Sequence, residues 1–561
     1  MRTQARRSAI IALLAVGGIQ AGLTESSAKS HHGGFSPSIR PALQEQLEDA
    51  DPDQFIPITI LLREQVGAAE LDAARHGLGR DARRQAVVDT LRNHARQTSA
   101  DVVARLEMHQ AAGRVDGRIR ELWIRNVIAA RATAEAITDI AGHDDVAAVR
   151  FDQPVREDIF VQDGGSGNNN GYADATCGIE AMNASQAWSE LGLYGEGVVI
   201  GVIDSGACLD HPDLAGQLWH NPGEVLDGTD TNGNGYVDDV HGWNFKDDNN
   251  DLTDQISHGT HVAGTALGSG ESGMHTGVAP GAQLMTLKIW GSTSGESTVW
   301  EAMQYGVENG ADVLTGSIGW LQDWNPDRAT WRAVTENAIA AGVVVLYAAG
   351  NEGDCCLPHG STRTPGDVPD VITVGATDCS DELAEFSSVG PVTWQDVDGY
   401  HDWPYPPGKR KPTVVAPGVN TISTHFSCSG YASKSGTSMA TPHVAGVAAL
   451  LLEANPELDH HDVKAILEQT ASPLDDAGPN NFTGAGRVDA YEAALVALVT
   501  AGPPGDLTGD GGVNGQDLGV LLSQWGECPE HEPCPADLNG DGVVDGADLG
   551  ILLSHWNEQT K

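Results

Sequence analysis

Short apolar, β-branched segments alternate with longer segments of small and apolar residues through the middle of the chain. Residues 282–289, 311–317, 342–347 and 371–375 are segments of the first kind. Such continuous apolar runs are typical of strands buried on both faces of a parallel sheet, with intervening helices that cover those faces. The pattern predicts an α/β fold over residues 177–498.

A different pattern precedes this region, over residues 54–152. The predicted elements are a strand, one long helix or two broken ones, a second strand, a short helix and a final strand, at residues 55–62, 81–112, 120–132, 134–141 and 146–151. This order predicts a small α+β domain. Residues 153–176 contain a polar Gly- and Asn-rich stretch that is suited to proteolytic cleavage.

The C-terminal part of the chain contains a repeat. After a linker of small residues at 499–505, residues 506–519 match residues 537–550, and each copy is followed by Leu-Leu-Ser and a tryptophan. The repeat predicts two similar loop–helix units within residues 506–561.

Three polar residues stand where the predicted elements would bring chemistry to one edge of the sheet. Ser438 lies in a Gly-Thr-Ser turn before an apolar helix, whose free N–H groups and positive dipole end favour a nearby oxyanion. Asp204 ends a buried strand, and His258 begins another helix. A serine hydroxyl needs a base, and an imidazole needs a carboxylate to fix its tautomer, so the three residues fit these roles.

In this order and in these surroundings, the three motifs resemble those of the subtilisin-like serine proteases (subtilases), over residues 177–498. The resemblance implies a subtilisin-like parallel sheet with helices on both faces, and endopeptidase activity on protein and peptide substrates. In a fourth motif, Ala-Ala-Gly-Asn-Glu-Gly, Asn351 is similar to the amide that holds the oxyanion together with the N–H of Ser438. His261 and His443 are expected to be structural neighbours of the site.

The same resemblance implies where a substrate lies. Ser317, Ile318 and Gly319 are similar to the strand beside the first specificity pocket. Residues 288–295, which include Gly291, are similar to the strand and loop that pair with the substrate backbone by β-augmentation. Broad specificity is expected, because such pockets are formed by backbone and small residues.

The domain at residues 54–152 resembles the ferredoxin-like inhibitory propeptide of subtilases. In that family the propeptide assists folding, occupies the active site and is then cut off. An unrelated amino-terminal domain is the alternative.

The C-terminal repeat carries candidate calcium ligands. Oxygen-bearing side chains fall at loop positions one, three, five, nine and twelve, with glycine at position six, as in an EF-hand. The candidate Ca²⁺ ligands are Asp506, Thr508, Asp510, Asn514 and Asp517, and in the second copy Asp537, Asn539, Asp541, Asp545 and Asp548. Two such loops, with Asp at position twelve and one short helix each, resemble a dockerin, a small all-α EF-hand-like module that binds cohesin domains on scaffolds. The resemblance implies a cohesin-type partner and calcium-dependent folding.

A further candidate calcium loop precedes the histidine motif. Asp230, Asn232 and Asn234 alternate around a glycine turn, but the twelfth position would be His241. Calcium binding and an Asn/Gly-rich surface turn both remain open here.

The charge of the chain limits its possible partners, and its cysteines indicate its compartment. The chain has 32 basic residues against 78 acidic ones, a net charge of −46, and residues from 160 onward carry 12 against 56. Nucleic acid and anionic membrane surfaces are therefore not expected as partners. Eight cysteines indicate an oxidising compartment. Cys528 and Cys534 flank a short loop and can pair, whereas the other six allow 15 pairings, among which the sequence does not choose.

Arginines followed by an apolar core at residues 9–16 predict a cleavable secretory signal at residues 1–21, with an N-terminal segment at 22–53. No later stretch reaches about 18 apolar residues, so no membrane anchor is expected. The sequence predicts a secreted, extracellular or cell-surface endopeptidase, monomeric after processing. A catalytically silent adhesion or scaffold component presented by the dockerin is the alternative.

Overall fold

The computed structural model describes residues 36–156, 163–164, 175–291, 294–353, 360–475, 477–503, 505–508, 511–528, 534–539 and 542–557. The predicted signal at residues 1–21 and most of the predicted processing region lie outside these residues. Cys355, Cys356, Asp510 and Asp541 also lie outside them.

Residues 36–152 form an N-terminal domain built on an antiparallel sheet. Its elements are α1 (Pro41–Glu48), β1 (Ile56–Leu62), α2 (Ala68–Arg75), α3 (Arg80–Ala111), β2 (Val115–Leu122), β3 (Val127–Ala132), α4 (Ala134–Ile140) and β4 (Val146–Phe151). The strands lie in the order β2-β3-β1-β4. Ile58 and Ile60 of β1 pack with Leu106 of α3 and Ile137 of α4 in the core of this domain.

The prediction of a single strand over residues 120–132 is wrong. Residues 123–126 form a turn between β2 and β3, so the segment is a hairpin. Asn126 has a φ of 48° in this turn, a left-handed conformation that asparagine adopts more readily than most residues. The long helix predicted at residues 81–112 is confirmed as one unbroken helix, α3, whereas α1 and α2 have no counterpart in the prediction.

The central domain contains a seven-stranded sheet. Its elements, with one strand from the preceding segment, are β5 (Asp163–Gly164), α5 (Cys177–Ala181), α6 (Ala184–Gln186), β6 (Val199–Asp204), α7 (Pro212–Ala215), β7 (Gly242–Asn244), α8 (Gly259–Leu267), β8 (Gln283–Lys288), α9 (Glu296–Glu308), β9 (Val313–Gly316), α10 (Arg328–Ala340), β10 (Val344–Ala348), β11 (Ile372–Thr377), β12 (Val414–Pro417), β13 (Thr421–Thr424), β14 (Tyr431–Lys434), α11 (Thr437–Ala454), α12 (His460–Thr470) and α13 (Ala490–Thr500). The sheet has the order β12-β11-β10-β9-β6-β8-β7 and is parallel throughout. The α/β prediction is therefore confirmed.

Each face of this sheet has its own apolar core, because successive strand residues point to opposite sides. Along β10, Val344 and Leu346 join the core around α11, whereas Val345 and Tyr347 join the core around α9 and α10. The second core continues into the N-terminal domain. The N-terminal domain thus covers the helices of one face and leaves the α11 face to the central domain alone.

Two disulfides tie distant parts of the central domain together. Cys177 is bonded to Cys379 and Cys208 to Cys428, across 202 and 220 residues of sequence. The pairing of Cys528 with Cys534 that the sequence allows is also present.

The C-terminal unit contains α14 (Gly515–Ser523), β15 (Gly526–Glu527), β16 (Val543–Val544) and α15 (Gly546–Ser554). The two short strands pair antiparallel and join the two repeats, a feature that the sequence did not predict. Val513, Leu521, Val544 and Leu552 form its small core. In the part of the chain that the structure describes, no helix combines the length and the apolar character needed to cross a bilayer.

Candidate active site

The predicted acid and base meet at the carboxyl edge of the sheet. Asp204 is the last residue of β6, and His258 directly precedes α8. Nδ1 of His258 lies 2.8 Å from Oδ1 and 2.9 Å from Oδ2 of Asp204. Both residues are buried, so water does not compete for this bond. Because a carboxylate accepts, Nδ1 carries the proton, and Nε2 is the basic nitrogen of the ring.

A second carboxylate fixes the turn that carries the histidine. The Ser205 hydroxyl donates to Oδ1 of Asp254 at 2.9 Å and accepts the N–H of Gly259 at 2.8 Å. Oδ2 of Asp254 accepts the N–H and the hydroxyl of Thr260, at 3.0 and 2.7 Å. A β-carbon at position 259 would lie 2.1 Å from the Gly206 carbonyl oxygen, so only glycine fits there. Ser205 and Asp254 were not among the residues predicted for the site, although Ser205 follows the predicted acid directly.

Ser438 lies at the amino end of α11, against the end of the neighbouring strand β9. Ile203 of β6 pairs with Gly316 of β9, so Asp204 and Ser317 are the next positions along two adjacent strands. The Ser438 hydroxyl donates to the Ser317 carbonyl at 3.3 Å, and the Ser317 hydroxyl donates to the Ser438 carbonyl at 2.9 Å. The serine is thereby held at the same edge of the sheet as the acid–base pair.

Asn351 borders the amino end of α11 from the strand on the other side. Its side-chain oxygen accepts the N–H and the hydroxyl of Thr437, at 2.9 and 3.0 Å. A β-carbon built on Gly436 would lie 3.6 Å from Nδ2 of Asn351 and 3.6 Å from the amide nitrogen of Ser438. The two nitrogens therefore lie at equal distances from one point beside Gly436.

An ion pair that the sequence analysis missed lies next to Asn351. Oε2 of Glu352 accepts the Asn351 N–H at 3.1 Å, and Nε of Arg363 lies 3.0 Å from both carboxylate oxygens of Glu352. Arg363 also donates to the Gly319 carbonyl at 3.2 Å. The pair ties residues 317–319, predicted to border the first specificity pocket, to the asparagine. Ile318 is buried in the core behind this segment.

His261 and His443 form hydrogen bonds to backbone carbonyls rather than to Asp204, His258 or Ser438. Nε2 of His261 lies 3.1 Å from the carbonyl oxygens of Thr421 and Ala432, and Nδ1 of His443 lies 2.8 Å from that of Met439. Burial lowers the pKa of His261 to about 3 and the pKa of His443 to about 4. Both side chains are therefore neutral at neutral pH.

The predicted substrate-binding strand is paired with the chain's own segment. The Val155 N–H donates to the Ser294 carbonyl at 2.9 Å, and the Glu296 N–H donates to the Gln153 carbonyl at 3.0 Å. Pro154 forms an antiparallel bridge with Gly295.

The Pro154 carbonyl accepts the indole N–H of Trp320 at 2.9 Å. Gly291, in the loop before this strand, faces Lys246, whose Cε lies 2.1 Å from where a β-carbon would stand. The edge at residues 294–296 thus accepts an extended chain through backbone bonds.

The two C-terminal loops fold alike around their first and twelfth side chains. Asp506 accepts the N–H of Gly511 at 2.7 Å, and Asp537 accepts that of Gly542 at 2.8 Å. The twelfth residues, Asp517 and Asp548, each accept the N–H of the ninth residue of their loop, at 2.8 and 2.7 Å. This arrangement and the all-oxygen donor set fit a hard cation such as Ca²⁺.

The loop at residues 230–239 is held by hydrogen bonds from its backbone N–H groups to its own side chains. The Asp230 carboxylate accepts the N–H groups of Gly233, Asn234 and Gly235 at 2.7, 3.1 and 2.8 Å. The Asn232 side-chain oxygen accepts the Asn234 N–H at 2.9 Å. No group of three or more His, Cys, Asp or Glu side chains positioned for a metal occurs among the described residues. The first residue of this loop thus accepts the N–H of the sixth, as in the two C-terminal loops, and calcium binding and a surface turn stay the two predictions for it.

A parallel α/β sheet that presents a buried Asp–His pair, and a serine in the first turn of a helix at the same edge, has the architecture of a serine-type endopeptidase. The Subtilase family model matches residues 195–486, so the chain belongs to the subtilase family.

Several similar proteins support the assignment of the chain to this family. Bacillopeptidase F of Bacillus subtilis (strain 168) is 31% identical over 468 residues, which are 78% of this chain but only 30% of that protein. Subtilisin NAT of Bacillus subtilis subsp. natto is 34% identical over 325 residues, 56% of this chain and 70% of the relative. Subtilisin of Bacillus pumilus is 34% identical over 325 residues and is covered over 98% of its length. The activity of this chain is accordingly that of a serine-type endopeptidase.

Proposed function

We propose that the chain is a secreted endopeptidase whose reaction is carried out by Asp204, His258 and Ser438. The bond from His258 Nδ1 to both carboxylate oxygens of Asp204, at 2.8 and 2.9 Å, is the observation that carries this proposal. It makes Nε2 the proton acceptor at the edge of the sheet where Ser438 lies.

Each of these groups has one task. His258 takes the proton of the Ser438 hydroxyl as its oxygen attacks the scissile carbonyl, and returns that proton to the leaving amine. Asp204 orients the ring and stabilises the imidazolium that forms. Asn351 and the Ser438 N–H donate to the oxygen that becomes negative, which the space beside Gly436 supports.

Hydrolysis of casein by the purified, processed protein tests the proposal, with Ser438→Ala beside it. The kcat of this variant is expected to be about 10⁶-fold lower than that of the wild type, the magnitude known from subtilisin. Ser429→Ala, at an exposed serine of the preceding loop, is the matched control and should retain full activity. Equal activities of the wild type and Ser438→Ala would contradict the serine mechanism. An inactive wild type would favour the silent scaffold alternative.

We infer that the N-terminal domain is an inhibitory propeptide. The support is the pairing of residues 153–155 with residues 294–296, since a chain segment held along this edge excludes a substrate from it. The uncleaved chain should therefore hydrolyse casein more slowly than the cleaved chain from which the N-terminal fragment has been removed. Equal rates of these two forms would leave an unrelated amino-terminal domain as the alternative.

We further propose that the C-terminal unit is a calcium-binding dockerin that tethers the protease. Ca²⁺ would be held by the side chains at the five ligand positions of each loop, would neutralise their carboxylates and would stabilise the small core. Leu522, Trp525, Leu553 and Trp556 stand at equivalent positions of the two repeats and are all exposed, which suits a cohesin-type partner. Calorimetric titration of the full chain with calcium tests this proposal. The heat of binding should be lost in Asp517→Asn plus Asp548→Asn and should be kept in the control variant Asp53→Asn, at an exposed aspartate.

A further inference from the structure

The N-terminal domain packs on α9 and α10 through α2, α3 and β2. Beneath the contact, Val87, Leu91 and Trp123 share an apolar core with Trp300 and Ile339 of the central domain. Around this apolar centre, the two surfaces carry charges of opposite sign.

The positive and negative partners of these ion pairs are distributed between the two domains in the same way at each described position. Within the described residues, each ion pair across the contact has its arginine in the N-terminal domain and its carboxylate in the central domain. The closest pairs are Arg118–Asp248 at 2.7 Å, Arg84–Asp312 at 3.1 Å, Arg120–Glu301 at 3.1 Å, Arg118–Glu301 at 3.1 Å, Arg80–Asp312 at 3.2 Å, Arg150–Asp327 at 3.3 Å, Arg40–Asp398 at 3.4 Å and a short Arg92–Glu308 pair. We call the carboxylates Asp248, Glu301, Glu308, Asp312 and Asp327 the acidic face.

Glu301 is the centre of the acidic face. Its side chain is only 2% exposed and lies between the guanidinium groups of Arg118 and Arg120. The Tyr236 hydroxyl is its third polar neighbour, at 3.3 Å. When the N-terminal domain leaves, this carboxylate loses both arginines and must be hydrated instead.

The central domain cannot replace these arginines from its own side chains. Residues 177–498 hold 11 basic residues against 43 acidic ones, a net charge of −32. Within the described residues, no Lys or Arg of the central domain forms an ion pair with the acidic face. Separation of the domains therefore leaves the charge of the acidic face uncompensated, besides exposing the apolar centre of the contact.

Solvent ions have access to this charge. A cleft of about 290 Å³ opens along the contact, and Arg118, Arg120 and Asp248 line it. Arg118 and Asp248 are 41% and 51% exposed. Raising the salt concentration from 0.1 to 1 M shortens the screening length from about 10 to about 3 Å, which weakens exposed pairs and stabilises the separated, charged surfaces.

We propose that charge retains the N-terminal domain on the acidic face after the chain is cut, so that ionic strength controls its release. The consequence of this release, which is activation of the protease, rests on the proposed propeptide role. The complex persists at low salt and dissociates as salt rises, so the cleaved enzyme is inhibited in dilute media and active in saline ones.

The test uses the full chain with Ser438→Ala, into which a recognition site for a foreign sequence-specific protease is placed between residues 165 and 174. After cleavage at that site, size-exclusion chromatography at 0.1, 0.3 and 1 M NaCl measures the fraction of the N-terminal fragment that stays bound. We expect the apparent Kd to rise about 100-fold over this range, chiefly through a slower association rate. Sucrose in place of the salt should release nothing. Because the measurement is retention of the fragment and not activity, the result does not depend on the proposed protease mechanism.

Substitutions locate the effect. Arg118→Gln plus Arg120→Gln should release the fragment at lower salt than the unsubstituted complex. Arg105→Gln is the matched control, because Arg105 pairs with Asp139 inside the N-terminal domain, and it should behave as the parent. Retention up to 1 M NaCl, dissociation already at 0.1 M, or equal behaviour of the two arginine variants would each overturn the proposal. The salt titration of the parent complex needs no substitution and decides the matter even where a variant fails to fold.

Discussion

Replacement of Asp204 by asparagine is the sharpest test of the acid–base pair. The change keeps the shape of the side chain but turns one of its two acceptor oxygens into an NH₂ donor. In the native site both oxygens lie within 2.9 Å of His258 Nδ1. An amide that donates to Nδ1 stabilises the other tautomer of the ring, in which Nε2 carries the proton and cannot take one from Ser438.

The magnitude follows from what the carboxylate does in the reaction. The same substitution in trypsin lowers kcat by about 10⁴, and loss of the carboxylate in subtilisin costs about 3 × 10⁴. At 1.36 kcal/mol per tenfold change, this is about 5.5 kcal/mol of transition-state stabilisation. KM should change little, because Asp204 lies behind the histidine and not against the substrate.

Steady-state hydrolysis of a chromogenic peptide anilide measures both constants, and proton NMR of the imidazole N–H groups reports the tautomer. Asp210→Asn, at an exposed aspartate six residues further along, controls for the general effect of the substitution. A kcat within tenfold of the wild type, or an unchanged tautomer, would refute the reasoning.

Further predictions concern the oxyanion donor, the buried histidines and the calcium loops. Asn351→Ala should lower kcat by about 10²–10³ with little change in KM, the magnitude known from subtilisin, and a change confined to KM would speak against an oxyanion role. His261 and His443 have folded-state pKa values of about 3 and about 4, below the ordinary 6.5, so the unfolded chain binds protons first as the pH falls. The free energy of unfolding should therefore fall by roughly 2.7 kcal/mol per pH unit from pH 6 to pH 4.5 because of these two histidines. Urea titrations at several pH values measure this slope, and an unchanged slope in His443→Gln would contradict the prediction. EDTA should lower the thermal midpoint of the C-terminal unit, and Asp517→Asn plus Asp548→Asn should abolish that response, whereas a response that persists in the double variant would place the calcium elsewhere.

The parts of the fold that could be predicted are those in which local pattern and tertiary packing agree. Strands that are buried on both faces form short apolar runs such as Val344–Ala348, and the four runs predicted at residues 282–289, 311–317, 342–347 and 371–375 each locate a strand of the central sheet within about two residues, whereas β7 and β12 were not predicted. The order of the motifs then brings Asp204, Ser317 and Ser438 together, because parallel strands end at one edge of a sheet.

The parts that escaped prediction depend on contacts between distant positions. The hairpin at residues 115–132 reads as one strand because only Asn126, with its left-handed conformation, marks the turn. The Glu352–Arg363 pair and the support of His258 by Asp254 are single side-chain contacts with no periodicity. Arg80, Arg84 and Arg92 have the spacing of an ordinary solvated helix, and only the packing of α3 on the central domain turns them into partners for the acidic face.

The pairing of residues 153–155 with residues 294–296 has a consequence for which peptides can bind there. The N–H of Val155 and the carbonyl of Gln153 make the backbone bonds, whereas Pro154, between them, has no N–H to offer and needs none. A bound peptide in this register accepts an N-alkylated residue at the middle position but loses a bond if one follows it. Two peptides that differ only in the position of an imino acid or an N-methyl group would therefore bind differently. The peptide with this group at the middle position would keep all its backbone bonds, whereas the peptide with the group one residue later would lose one, whatever the side chains are.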